Sequence, residues 1–360
     1  EEQNLPEFRR VMQEFYVPLK ALDPYLRYCF ITGITKFSQL SIFSTINNLN
    51  NVTMLPQFSA ICGITEEELN IVMAEDIRLL AESQDYTPEE MRQRLKNHYD
   101  GYHFSEYSPE MYNPFSLFNA FDSGEVSDYW FASATTRALI DMLAQMPPLR
   151  IQELESVECV SSAFDLPFSS YQAPLPVLYQ SGYLTIRHYD RELDSYTLGF
   201  PNGEVRRGFA DCLYQYVTDT HGKDALDKST LQLAYKRFRR DDELPKFIAA
   251  IQTFFAGVPY LLSNDNERHF QALLYTLLVS FGADVVAEEM TAKGRADIVL
   301  RMPRGIYILE MKYDGTADEA LRQIEEKGYA RKYALDGRSV TKVGLSISTK
   351  ERNIVEWKSE

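Results

Sequence analysis

The stretch from Lys293 to Lys312, K-G-R-A-D-I-V-L-R-M-P-R-G-I-Y-I-L-E-M-K, constrains this chain most. It reads as two strands, Arg295 to Leu300 and Ile306 to Lys312, joined by Met302-Pro303-Arg304-Gly305. Pro and Gly in a short polar break between apolar runs are hairpin punctuation. The second strand is apolar on both faces, Ile306 and Ile308 on one and Tyr307, Leu309 and Met311 on the other, as in a strand buried mid-sheet. Glu310 and Lys312 nevertheless share the face of Ile306 and Ile308, because side chains alternate with period 2. Charges at the end of a buried strand are costly unless paired or set on a metal. Asp297, on the neighbouring strand, is their candidate partner.

The rest of the C-terminal segment frames this hairpin. Asn266 is placed to cap a helix through Glu267 to Ser280, with Phe270, Leu273, Leu274, Leu277 and Leu278 at helical spacing. A strand over Asp284 to Glu289 precedes the hairpin, and Glu288 and Glu289 are expected at its surface, the alternative being that one of them approaches a metal. Thr316-Ala317-Asp318-Glu319 is a capping box. It opens a helix to about Ala334 with Ala320, Leu321, Ile324 and Gly328 inward. Val340 to Ile347 and Ile354 to Trp357 read as further strands.

A net charge of −15 argues against general nucleic-acid affinity. The acidity is uneven, however. Residues 264–360 hold 15 Lys/Arg and 16 Asp/Glu, whereas residues 1–263 hold 22 and 36. A local basic groove in the C-terminal segment is therefore compatible with the composition. Cys29, Cys62, Cys159 and Cys212 form no Cys-x-x-Cys pair and read as reduced core thiols, not zinc ligands. That usage fits a cytoplasmic protein. No apolar run approaches the length of a membrane span, and no membrane partner is expected.

Upstream, Phe8 to Leu22 is helical in pattern, and Tyr28 to Gly33 reads as a short strand buried on both faces. Thr65-Glu66-Glu67-Glu68 is a second capping box, and Pro88-Glu89-Glu90 after Thr87 a helix start. His98 and His103 flank the Asp100-Gly101 turn without the spacing of a metal site. Pro174 to Gly182 reads as a short helix, Tyr183 to Tyr189 with Ser195 to Phe200 as a hairpin, and Glu204 to Tyr216 as a helix, an order that fits a winged-helix module. Its wing is acidic through Asp190, Glu192 and Asp194, which favours packing over DNA contact. Leu231 to Phe238 and Leu244 to Phe255 form a helical connector with Lys236, Arg237, Arg239 and Arg240 as a solvated face.

Several of these stretches resemble AAA-ATPase-like proteins: F-I-T-G-I-T-K-F-S-Q-L-S-I-F-S (Phe30 to Ser44), I-C-G-I-T-E-E-E-L, H-Y-D-G-Y-H-F-S (His98 to Ser105), Y-N-P-F-S-L (Tyr112 to Leu117), Y-W-F-A-S-A-T-T (Tyr129 to Thr136) and L-Y-Q-S-G-Y-L-T-I (Leu178 to Ile186). The resemblance implies a sensor role near the γ-phosphate for Thr32 and Thr35. The sequence holds no G-x-x-x-x-G-K-[ST], and so lacks the backbone cradle and lysine that hold phosphates. It is expected to begin inside the ATPase core, with ATP bound only by the full-length protein; Glu1-Glu2-Gln3-Asn4 does not read as a natural start.

The C-terminal order and the Asp297…Glu310-x-Lys312 residues resemble the PD-(D/E)XK nuclease superfamily. The resemblance implies metal-binding carboxylates at Asp297 and Glu310, a lysine beside the attacking water at Lys312, a further acid at Glu267 and an auxiliary Gln323, in a segment that also holds Lys327 and Tyr329. The residue chemistry agrees: Mg²⁺ or Mn²⁺ on a few carboxylates stabilises a scissile phosphate and activates water, and lysine acts as a point charge.

The expected fold is multidomain α/β and α+β. Residues 1–75 are read as the remnant of a P-loop ATPase core, 76–150 as a helical lid, 151–229 as winged-helix-like, 230–263 as the connector, and 264–360 as an α-β-β-α-β restriction-endonuclease-like domain. The expected function is metal-dependent phosphodiester cleavage of DNA or RNA. The alternative is an inactive nuclease-like module for nucleic-acid or protein interaction, regulated by the ATPase part. The sequence leaves oligomeric state open.

Overall fold

The computed structural model describes residues 5–33, 50–132, 135–146, 150–165, 174–219, 228–257 and 268–360. The chain forms two compact units that divide at Arg206 and Arg207, with Arg150–Gln152 joining the second.

In the first unit, the helices Glu66–Val72, Ala74–Ser83, Pro88–Tyr99 and Pro114–Ser123 bury Leu69, Ile77, Leu80, Met91, Leu95 and Leu117 around Tyr99 and Tyr112. Thr65 and Thr87 start two of them with reciprocal capping boxes to Glu68 and Glu90, each satisfying two backbone donors that a helix start leaves unpaired. Strands β1 (Ile64–Thr65) and β2 (Met111–Tyr112) pair antiparallel beside this core. Further on, β3 (Val157–Cys159), β4 (Thr185–Asp190) and β5 (Ser195–Gly199) form a sheet of order β3-β5-β4. The helices Ser161–Phe164 and Pro174–Gln180 lie between β3 and β4 in the chain.

Three expectations for this part need correction. Tyr28 to Gly33 is not a strand: the segment is irregular and exposed, with Tyr28 74% and Phe30 46% accessible. A short apolar run becomes a core strand only where neighbours pair with it, and no described strand does. The helix expected over Phe8 to Leu22 is broken into Leu5–Tyr16 and Pro18–Leu22, because Pro18 cannot donate within a continuing helix. Of the four cysteines, all free, only Cys212 is buried; Cys29 and Cys62 are exposed.

The second unit is built on a five-stranded sheet of order β10-β9-β8-β7-β6. Its strands are β6 (Asp284–Thr291), β7 (Gly294–Arg301), β8 (Gly305–Tyr313), β9 (Ser339–Ser348) and β10 (Asn353–Ser359). Only the β8–β9 pair is parallel, and a parallel pair needs a crossover. The helix Ala317–Lys327 supplies it, with Ala317, Ala320, Leu321 and Ile324 buried. These pack with Val299, Ile306 and Ile308 from the sheet and with Tyr329 and Tyr333. The helix ends earlier than expected, since Gly328 takes a left-handed φ of 64° and the chain continues as the 3₁₀ turn Tyr329–Tyr333.

The other face is covered by Lys228–Asp241, Leu244–Gly257 and Arg268–Ser280. Phe238 meets Tyr307 edge-on at 4.8 Å and Phe247 at 5.1 Å, and Phe255 meets Phe270 at 5.1 Å. The expected connector is therefore one wall of the C-terminal core. Leu231, Tyr235 and Phe238 form its buried stripe, while Lys236, Arg237, Arg239 and Arg240 are exposed as expected.

Candidate active site

The β7–β8 ladder runs from Arg301↔Ile306 to Ile298↔Leu309. At the next position the Asp297 side chain takes over: Oδ2 accepts the Met311 backbone N–H at 2.8 Å. Its own carbonyl is held by Gln271, whose Nε2 donates to it at 2.9 Å from the helix Arg268–Ser280. Asp297 is thus fixed through both main chain and side chain, against the end of β8.

Glu310, on β8, is 2% exposed. Gln323 on the crossover helix donates from Nε2 to Glu310 Oε1 and accepts at Oε1 from Lys312 Nζ. One amide therefore ties the carboxylate and the ammonium together, and it lies 3.4 Å from the Tyr329 hydroxyl. The second oxygen, Glu310 Oε2, is buried without a hydrogen-bond partner. Burial, and then the charge of Asp297, push the Glu310 carboxyl up to about 8, against the opposing pull of Lys312. A buried acceptor left open, next to a second carboxylate, is the arrangement a cation would satisfy. Among the described residues no group of three or more His, Cys, Asp and Glu gathers around a common point.

The helix can approach this site because of Gly344. It stands beside Glu310 in the parallel β8–β9 register, and a Cβ there would lie 2.3 Å from the Ala317 carbonyl oxygen. The need for glycine at that point is invisible in sequence, since it depends on what crosses the strand. Thr316 caps the same helix through a reciprocal box with Glu319.

Asp297, Glu310, Lys312 and Gln323 are thus brought together. Glu267 and Thr35 lie outside the described residues, and Thr32 sits in the exposed segment of the first unit. The expected surface placement of Glu289 is wrong. It is 8% exposed and accepts from Arg301 Nη2 at 2.8 Å, Lys332 Nζ at 2.5 Å and the Tyr333 hydroxyl at 2.6 Å. Two cations and a phenol give this carboxylate more in the interior than water would. Glu288 remains outside, paired with Arg295 at 2.8 Å.

Residues 265–357 match the model of the PD-(D/E)XK nuclease superfamily. The chain is also 28% identical over 361 residues to a protein of Azotobacter chroococcum mcd 1 described as "Uncharacterized protein in vnfD 5'region". That alignment covers 97% of this chain and 66% of the relative, so the chain spans just under two thirds of the relative's length. No solved structure matches. The family match and the mixed five-stranded sheet together place a PD-(D/E)XK nuclease superfamily domain at residues 265–357.

Proposed function

We propose that the C-terminal unit is a metal-dependent nuclease that hydrolyses phosphodiester bonds of DNA or RNA. The observation that carries this reading is the buried, partnerless Glu310 oxygen beside Asp297. Asp297 and Glu310 would hold Mg²⁺ or Mn²⁺, with Glu267 as a further acid. When bound, such an ion supplies charge stabilisation at the phosphate and a water of lowered pKa. The Met311 N–H fixes the orientation of Asp297. Gln323 holds Glu310 and Lys312 at a set spacing, and the Lys312 ammonium offsets phosphate charge and orients the attacking water. Preorganisation by a helix-borne amide lets these groups act without rearranging.

We further propose that the first unit belongs to an AAA-ATPase-like part that governs the nuclease, ATP being handled by a longer protein. The order strand, two helices, hairpin over β3 to β5 supports a winged-helix reading of that region.

Calorimetric titration with Mn²⁺, followed by cleavage of DNA and RNA, tests the nuclease reading. Wild type should take up Mn²⁺ and cut, and Asp297→Asn and Glu310→Gln should each abolish both. A folded wild type that takes up no Mn²⁺ and cuts neither polymer would favour the inactive interaction module instead.

A further inference from the structure

Several cations of the C-terminal unit are neutralised. Arg295 pairs with Glu288, Arg301 and Lys332 with Glu289, Arg338 with Asp336, Lys342 with Glu325 and Lys358 with Asp318. Lys293 and Lys327, like Arg304, Arg322, Arg331 and Lys350, are exposed and make no ion pair among the described residues, and what sets these two lysines apart is their place in the fold. They are also next to each other in the fold. A Cβ on Gly294, which follows Lys293 in the turn between β6 and β7, would lie 3.1 Å from the Tyr329 hydroxyl and 3.7 Å from Cδ of Lys327. The main chain of the turn thus rests on the Lys327 stem and on Tyr329. Tyr329 in turn lies 3.4 Å from the amide that bonds Glu310. The turn that carries Lys293, and the stem of Lys327, therefore lie beside Tyr329 at the edge of the candidate catalytic cluster.

The same hairpin carries an apolar side chain into solvent. Met290 is 75% exposed. Its orientation follows from the backbone just before it. Glu288 has a φ of 50° inside β6, a left-handed conformation that interrupts the alternation of the strand. Glu289 then turns inward to Arg301 and Tyr333, and Met290 points out. Lys332 Nζ lies 3.4 Å from the Met290 carbonyl and 2.5 Å from Glu289, so the outward conformation is held from below.

We infer that the turn between β6 and β7 together with Lys327 grips the nucleic-acid strand, Lys293 and Lys327 on the phosphates next to the scissile one and Met290 against the face of a base. The inference rests on the phosphodiester reading above and adds the surface that delivers the strand to it. Phosphate contacts position a polymer without reading its sequence, and an apolar side chain against a base is likewise tolerant of sequence. The grip therefore predicts a strand-binding nuclease with little base preference at these contacts.

The test uses the full chain with labelled single-stranded DNA, duplex DNA and single-stranded RNA. Ca²⁺ replaces Mg²⁺ during binding, and affinity is followed by fluorescence anisotropy across a salt series. Removing two phosphate contacts in Lys293→Gln/Lys327→Gln should lower the slope of log K against log salt by about 1.4 on a single strand or about 1.8 on a duplex. Met290→Ala should weaken binding several-fold with the slope unchanged. Arg304→Gln, at the opposite end of β8, should leave the slope as it is. In cleavage the double variant should raise KM with kcat and Mn²⁺ uptake unchanged. An unchanged slope in the double variant, an equal fall with Arg304→Gln, or a wild type with no salt-dependent binding would each overturn the grip. The two readings fail separately. Normal Mn²⁺ uptake and cleavage with an unchanged slope removes the grip alone. A lowered slope in a protein that neither binds Mn²⁺ nor cuts leaves the grip and removes the nuclease.

Discussion

Gly344→Ala should damage the proposed site without altering any of the groups assigned a role in it. Gly344 lies beside Glu310 on β9, under the first turn of the helix Ala317–Lys327. The new Cβ would stand 2.3 Å from the Ala317 carbonyl oxygen, 3.2 Å from its carbon and 3.0 Å from Leu321 Cγ. Ordinary contact begins at 3.4 Å, so the helix must retreat by about 1 Å. Overpacking of this kind costs about 1–3 kcal/mol, and here the clash is with backbone, which places the change at the upper end. Gln323 moves with the helix, and with it the bridge between Glu310 and Lys312. A displacement of about 1 Å in a catalytic arrangement costs roughly 100-fold in rate. Denaturant unfolding gives the first quantity and single-turnover cleavage the second. Gly337→Ala is the control: it has a left-handed φ of 87° but no atom within 4 Å of a new Cβ, so it loses stability through backbone strain alone and keeps its cleavage rate. If Gly344→Ala unfolds at the wild-type midpoint and cleaves at the wild-type rate, the close approach of helix to sheet is not what holds the site together.

Two further perturbations probe buried carboxylates away from Asp297 and Glu310. Glu204 is fully buried; it accepts the Trp130 N–H at 2.8 Å, and its Oε2 has no hydrogen-bond partner. Burial pushes its carboxyl up to about 7 from 4.5, so the folded state binds the proton more tightly. Its contribution is then complete below pH 4.5 and lost as pH rises through about 7. At about 1.4 kcal/mol per pH unit, the loss is roughly 3 kcal/mol, and Glu204→Gln should flatten that part of the stability–pH curve measured by urea unfolding. Glu289→Gln weakens the acceptor shared by Arg301, Lys332 and Tyr333. Because Lys332 is half exposed and can reach water, the expected loss is about 2–3 kcal/mol, below that of a fully buried pair. It should appear in thermal unfolding as a lower Tm.

The hairpin was legible because period 2 is strict. Once Ile306 and Ile308 face the core, Glu310 and Lys312 must as well, and only a partner such as Asp297 makes that tolerable. Gln323 was legible only through the resemblance to the nuclease superfamily: the capping box at Thr316 fixes the helix start, but the helix period turns Ala320, Leu321 and Ile324 inward and does not by itself single out Gln323. What stayed hidden depends on non-local packing. The basic run Lys236 to Arg240 reads as a linker only until Leu231, Tyr235 and Phe238 are seen as one buried helical stripe, of which Tyr235 and Phe238 meet Phe247 and Phe238 meets Tyr307. Tyr28 to Gly33 has the composition of a core strand, yet composition cannot supply the strands that would pair with it. Glu289 was misjudged because its three donors come from β7 and from the turn after the crossover helix.

The departures from local rules are not spread evenly through the C-terminal unit. Among the described residues, the non-glycine positions of positive φ are Asp85, Asp194, Asp242, Asp314 and Arg352, which lie in loops, and Glu288, which lies inside a strand. Such a conformation costs about 1–2 kcal/mol, and a strand has no need of it. Glu288 stands across from Asp297, at the step that the β6–β7 register leaves out between Ala287↔Ile298 and Glu289↔Ala296. On the other side of Asp297, at the next step of the β7–β8 ladder, the open Glu310 oxygen adds the desolvation of an unsatisfied acceptor, a further ~1–3 kcal/mol. Packing alone would remove both costs, with a regular β6 and an apolar residue in place of Glu310. Their coincidence around Asp297 is what the proposed nuclease site calls for: strain and an unpartnered carboxylate oxygen there would leave groups already in position for an ion and a phosphate.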